Sequence, residues 1–173
     1  MLVEHYTYEQ DWKLKLITIA RATSPDRPGL WIKPSGALYT SPVNSKYGWR
    51  HWTKDENFGL GVFRVELSVD MTHPYVKIDT LADMERLPWR KFSPPGTELN
   101  LYYVDYGKLV DQGIEFIWLT ERGQSETRLT WPRNLYGWDC ETVAILDTRC
   151  IKNWWMEDAP ERARTGEAAA VKP

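Results

Sequence analysis

Cysteine is nearly missing from this chain of 173 residues: Cys140 and Cys150 are its only two. Two thiols cannot build the disulfide framework of a small secreted domain, and without flanking Cys or His pairs they lack zinc-site spacing, so both are expected to be reduced. Histidine is scarce as well. His5, His51 and His73 are scattered, with no second histidine or carboxylate at helical ligand spacing, and no metal is expected. No apolar run approaches the roughly 20 residues that cross a bilayer, and no basic stretch leads into an apolar segment near Met1. No membrane contact and a cytoplasmic location are therefore expected. Charge of one sign is not in excess either: 22 basic against 24 acidic residues leave a net charge of -2. Nothing global draws this chain to nucleic acid, so any such partner must be held locally. Glycine-rich phosphate loops, a nucleophile elbow and a local Cys–His arrangement are all missing, which removes support from the common hydrolase classes.

What the chain has in quantity is amphipathic aromatic surface, ten Trp and nine Tyr against four Phe. Indole and phenol rings favour half-wet places where a flat face stacks and the N–H or O–H finds a partner, so many are expected to line a groove. A charged fraction of 27% and a mean hydropathy of -0.53 suit one globular domain over 1–156, followed by a tail at 157–173 without apolar periodicity. Short runs of strand character lie at 2–7, 13–20, 61–69, 75–79, 115–120, 126–130 and 141–147. Helices are expected over Leu81–Leu87, with Thr80 as N-cap and Asp83 completing a capping box, over Tyr106–Gln112 with Gly113 as its stop, and over 48–58. Without regular βαβ alternation, this pattern predicts an α+β fold on antiparallel sheets. Segments 93–104 and 131–140 have no regular period and are expected to be functional loops.

Three segments stand out together. Val3-Glu4-His5-Tyr6-Thr7 puts a histidine in the opening strand. Gly36-Ala37-Leu38-Tyr39-Thr40-Ser41 ends a strand in hydroxyl residues before the aromatic helix containing Trp49. Asp139-Cys140-Glu141 sets carboxylates at the mouth of the apolar run Thr142–Leu146. Each alone has a bland reading as a solvated strand end or as core packing. In this order the segments resemble the ADP-ribosyltransferase superfamily, in its His-Tyr-Glu branch shared by diphtheria-toxin-like enzymes and poly-ADP-ribose polymerases. The match runs from His5-Tyr6-Thr7, with Tyr6 where a small residue is usual, through Tyr39 and Trp49 to Glu141.

The resemblance implies a split antiparallel β-sheet core and NAD as the substrate, cleaved at the nicotinamide–ribose bond, with ADP-ribose passed to a macromolecular acceptor, protein or nucleic acid. It implies that His5 bonds a ribose hydroxyl, Thr7 and Ser41 support the site, and Tyr39 with Trp49 sandwiches the nicotinamide ring. Glu141 is then the catalytic carboxylate that stabilises the oxocarbenium-like ribose. Residues two apart on a strand point to the same face, so Asp139 and Glu141 are both expected to look into the site while Cys140 faces away. Asp139, Trp138 and Tyr136 are then expected to meet the acceptor, and Trp12 to lie far from the site. Two rival readings stand beside it: a non-catalytic binding module stacking its Trp and Tyr faces on sugars or bases, and a relative acting on RNA phosphate, which calls for a basic cluster in the cleft where only Arg122, Arg128 and Arg133 are near. The first is separated by whether His5 and Glu141 share a cleft.

Overall fold

Strand β1 (Leu2–Thr7) is covered on both faces, with Val3 buried on one and Glu4 and Tyr6 buried on the other. The computed structural model describes residues 1–15, 17, 33–93, 96–98 and 100–158. In chain order the elements are β1 (Leu2–Thr7), β2 (Leu38–Pro42), α1 (Trp49–Asp55), β3 (Phe63–Val69), β4 (Tyr75–Ile78), α2 (Leu81–Glu85), β5 (Trp89–Phe92), β6 (Leu101–Val104), α3 (Tyr106–Asp111), β7 (Phe116–Leu119), α4 (Glu121–Thr127), β8 (Thr142–Ile145) and β9 (Ile151–Asp158). Seven strands form one sheet in the order β4-β7-β8-β2-β1-β3-β9, and β5-β6 is a separate hairpin. Every pair in the large sheet is antiparallel except β4–β7, which is parallel. The fold is α+β, with few short helices.

The sheet divides at β2. Leu38, Tyr39 and Thr40 pair with β8, whereas Ser41 and Pro42 pair with β1. The three strands that carry or adjoin the sequence motifs are thereby neighbours, β8-β2-β1, at the middle of the sheet.

Strand alternation gives two cores. Ile117, Leu119 and Ala144 point to the side covered by Met84 of α2 and by Tyr106 and Leu109 of α3. Phe116, Val143, Ile145, Val65 and Leu67 point to the other side, against Trp12, Leu14 and Ile17. Thr80 caps α2 in a complete capping box with Asp83, Asp105 caps α3, and Gly113 beyond α3 takes a positive φ of 79°. Helices α1, α2 and α3 thus occupy the segments expected of them.

Other expectations are corrected. The strand expected over 13–20 is not seen at its described residues 13–15 and 17; Leu14 and Ile17 instead lie against the second core, and the other residues fall outside the described ones. The strand expected at 126–130 is the end of α4 and a following loop. Thr120 accepts a hydrogen bond from Gly123 N, starting a helix that Arg122 and Glu126 brace at i, i+4, and these local bonds outweigh the strand preference of Thr-Arg-Leu-Thr. Segment 93–104 ends in strand β6, which pairs with β5 across the hairpin. Strand β9 runs through Glu157 to Asp158, past the expected start of the tail; 159–173 lie outside the described residues.

Candidate functional site

Glu141 immediately precedes β8 and is held by four hydrogen bonds. Its N–H donates to Tyr47 O at 2.9 Å and its carbonyl accepts from Ser41 Oγ at 2.8 Å. Its Oε2 accepts from Ser45 Oγ at 2.6 Å and its Oε1 from Trp118 Nε1 at 3.0 Å. Both carboxylate oxygens are therefore fixed in direction. Buried Ser41 also accepts from Trp49 N at 2.8 Å, so one hydroxyl ties β2 and the start of α1 to the glutamate backbone. Helix α1 has Gly48 at its N-cap and no capping side chain; Ser41 satisfies the N–H instead. A Cβ at Gly48 would come 2.9 Å from Ser41 Cβ, so glycine is what lets the helix approach this closely.

The carboxylate faces an open groove of about 1000 Å³. Ends of several strands form its rim: Met1 before β1, Pro42 of β2, Asp79 after β4 and Thr120 after β7. Helix α4 supplies Arg122, Ser125 and Glu126 to one wall. Gly123 allows this, because a Cβ there would overlap the Ile78 carbonyl. Arg122 is engaged by Glu126 at 2.8 Å and by Asp79 at 4.0 Å, while Lys46 has no ion-pair partner among the described residues. Trp118 is the aromatic ring on this groove, and Lys77 Nζ stands 4.8 Å from its centroid.

The remaining expected residues are distributed differently. His5 Nδ1 lies 2.9 Å from Tyr39 O, a carbonyl that can only accept, so this nitrogen carries the proton and donates. Burial holds the His5 pKa below its ordinary value, favouring the neutral ring. Trp12, expected to be remote, has its ring 5.9 Å from His5 and edge-on to Trp154. Thr7 Oγ1 accepts from Glu9 N in the turn after β1. Tyr39 donates its hydroxyl to Pro34 O at 2.5 Å and meets Trp138 edge-on, and burial pushes its pKa up.

Trp49 instead stacks on Trp52 at 4.9 Å, in a cluster with Tyr6 and Leu60. The Tyr39–Trp49 sandwich expected for nicotinamide is not assembled: the two rings belong to separate clusters. Neither ring lines the groove, nor does His5.

On the acceptor side, Trp138 is 1% exposed within the first core and reaches no partner surface. Tyr136 is exposed. Asp139 binds Arg128 at 3.0 Å and Lys33 at 3.7 Å rather than turning to the groove. The alternation expected for 139–141 fails because β8 begins at Thr142 and Cys140 lies in a bend. Buried Cys140 and Cys150 are free thiols.

Trp118 and Ser45 are the site residues that sequence reasoning passed over. A tryptophan inside a strand whose N–H requires a partner was the available signal; that the partner is a carboxylate 23 positions away was not readable. No family model matches this chain, and neither a curated protein nor a solved structure is significantly similar to it. Among the described residues, no group of three or more His, Cys, Asp or Glu is arranged to hold a metal ion, and no helix is long and apolar enough to cross a membrane.

Proposed function

We propose that this protein is a mono-ADP-ribosyltransferase that uses NAD, with Glu141 as its catalytic carboxylate. The observation that carries the reading is the Glu141 carboxylate held by Ser45 and Trp118 at an open groove, on a sheet that divides at β2 and in which the motif-bearing strands β1, β2 and β8 are adjacent. The groove fits the substrate in kind. Its volume of about 1000 Å³ is at the upper end for small-molecule sites, Trp118 offers a flat face beside the carboxylate, and Lys46, without an ion-pair partner among the described residues, offers a cation for phosphate.

In the proposed reaction the bond from nicotinamide nitrogen to ribose C1′ breaks, and nicotinamide leaves as a neutral molecule with the bonding pair. Positive character builds on the ribose, and the Glu141 carboxylate, held by Ser45 and Trp118, stabilises it with little reorganisation. An acceptor nucleophile then bonds C1′ and loses its proton. The reading gives Trp118 the ring-facing role first assigned to Tyr39 and Trp49, and keeps His5 as a residue that orients β2 through the Tyr39 carbonyl.

A second reading, a non-catalytic aromatic module, is favoured by the separation of His5 from the groove of Glu141. Nicotinamide release from NAD, measured with the native chain and Glu141→Gln in the presence of cell extract, distinguishes the two. Release by the native chain that the variant loses supports the transferase; no release by either supports the binding module.

A further inference from the structure

The loop from Arg128 to Trp138 and the β5–β6 hairpin present a surface unlike the rest of the molecule. Trp131 is 69% exposed, Tyr136 55% and Leu129 81%, three large apolar side chains within eight positions of a loop. Cations sit on its rings: Arg128 is 5.9 Å from the Tyr136 centroid, and Arg133 is 5.7 Å from Trp89 and 5.5 Å from Tyr102. Lys91 is the cross-strand partner of Tyr102 and two residues from Trp89, so it shares their hairpin face.

Charge decides what covers this surface. Lys33, Lys91, Arg128 and Arg133 stand against one paired carboxylate, Asp139, which binds both Lys33 and Arg128. Arg133 and Lys91 have no ion-pair partner among the described residues. With Arg90 paired to Asp105 and Glu98 in the β5–β6 connection also counted, the local excess is two positive charges, which on a chain of net charge -2 is complementary to a polyanion. Exposed rings beside it give every base a face on which to stack, whereas a duplex keeps its bases stacked on one another.

We infer that this surface binds single-stranded nucleic acid, with bases stacked on Trp131 and Tyr136 and phosphates held by Lys91, Arg128 and Arg133. Asp139 is two residues from Glu141, but none of the side chains of this surface lines the groove onto which the Glu141 carboxylate opens. The strand is therefore held apart from that groove, and its binding stands independently of the transferase reading. Within the surface, Asp139 acts as a brake, because it competes with phosphate for Lys33 and Arg128.

Fluorescence anisotropy of the full chain with labelled single-stranded DNA, single-stranded RNA and duplex, each of about 12 nucleotides, tests this. At least one single strand should bind more tightly than duplex, with log K falling against log salt at a slope of about -0.7 for each phosphate held. Trp131→Ala and Tyr136→Ala should each weaken binding about tenfold, while Trp131→Phe retains it because the ring remains. Arg133→Gln should flatten the slope by about 0.7, and Asp139→Asn should tighten binding. DNA against RNA identifies the strand.

Equal binding of duplex and single strand, indifference to both ring truncations, or no binding at all overturns the inference. Transfer to a protein acceptor without oligonucleotide binding overturns it as well. Oligonucleotide binding without any nicotinamide release leaves the surface standing and removes the enzyme reading, so the two fail separately.

Discussion

Replacing Glu141 by Gln changes charge at nearly constant shape, and its hydrogen bonds set what should follow. Trp118 Nε1–H can only donate, so the amide oxygen must take the Oε1 position and the NH2 group the Oε2 position. Ser45 Oγ, which donates to Oε2 in the native chain, can rotate its proton away and accept from that NH2. Both backbone bonds of residue 141, to Tyr47 O and from Ser41 Oγ, are untouched. Stability should therefore change by less than about 1 kcal/mol, a thermal shift of at most about 2–4 °C. On the proposed transferase reading, catalysis loses the negative charge of Glu141 that would face the developing oxocarbenium character. Removal of a single preorganised electrostatic contact costs on the order of 3–4 kcal/mol, so nicotinamide release should fall roughly 100- to 1000-fold. The assay is chromatographic detection of nicotinamide at saturating NAD, alongside a thermal melt. Activity within tenfold of the native chain at an unchanged melt would refute the assignment of Glu141. A melt lowered by 10 °C or more would refute the reasoning about the Gln hydrogen bonds.

Trp118→Phe keeps a ring but removes the donor to Oε1, so kcat should fall about tenfold or more with KM for NAD little changed; a rise in KM alone would mean that the indole binds substrate without orienting the glutamate. Arg64 is bonded to Glu4, Glu66 and Glu157 at 2.6–2.8 Å, and Glu4 is only 3% exposed; Arg64→Ala should cost about 3–5 kcal/mol and lower the melting midpoint by about 10 °C, since Arg50 at 3.9 Å replaces it poorly. Burial pushes the Cys140 thiol up to about 11 and the Cys150 thiol up to about 12. Above about pH 9 the unfolded chain loses thiol protons that the folded chain keeps, so urea-measured stability should fall as pH rises from 9 to 11, and less so in Cys140→Ala/Cys150→Ala. Alkylation of both thiols at pH 8 should be slow until the chain is unfolded.

Much of the local structure was legible in the residues themselves. Thr80 with Asp83, and Gly113 after an amphipathic stretch, announce helix ends through side-chain and backbone bonds within a few positions. The apolar–polar alternation of 63–69 and the apolar run at 142–145 announce strands for the same reason. Such signals are local in sequence because their energetics are local. Where two local preferences competed, as at Thr120–Thr130, the cap and the i, i+4 pair prevailed, and Thr120 followed by Glu121 was the readable clue. Strand β9 and the β5–β6 hairpin were not legible, since their pairing depends on partners distant in the chain.

The sequence by itself determined the α+β class, the want of a disulfide framework and of any metal spacing, and Glu141 as a carboxylate at the mouth of an apolar strand. Tertiary structure alone decided what surrounds that carboxylate. Strand order put β8 between β7 and β2, and that placement delivers Trp118 from 23 positions upstream and Ser45 from 96 upstream to its two oxygens. It also drew Tyr39 and Trp138 into one core and Trp49 into another, because alternate strand positions face opposite sides and each ring packs against whichever helix or loop covers its side. Ring type is written in the sequence, but which rings face one another depends on sheet register and on the layers packed above it.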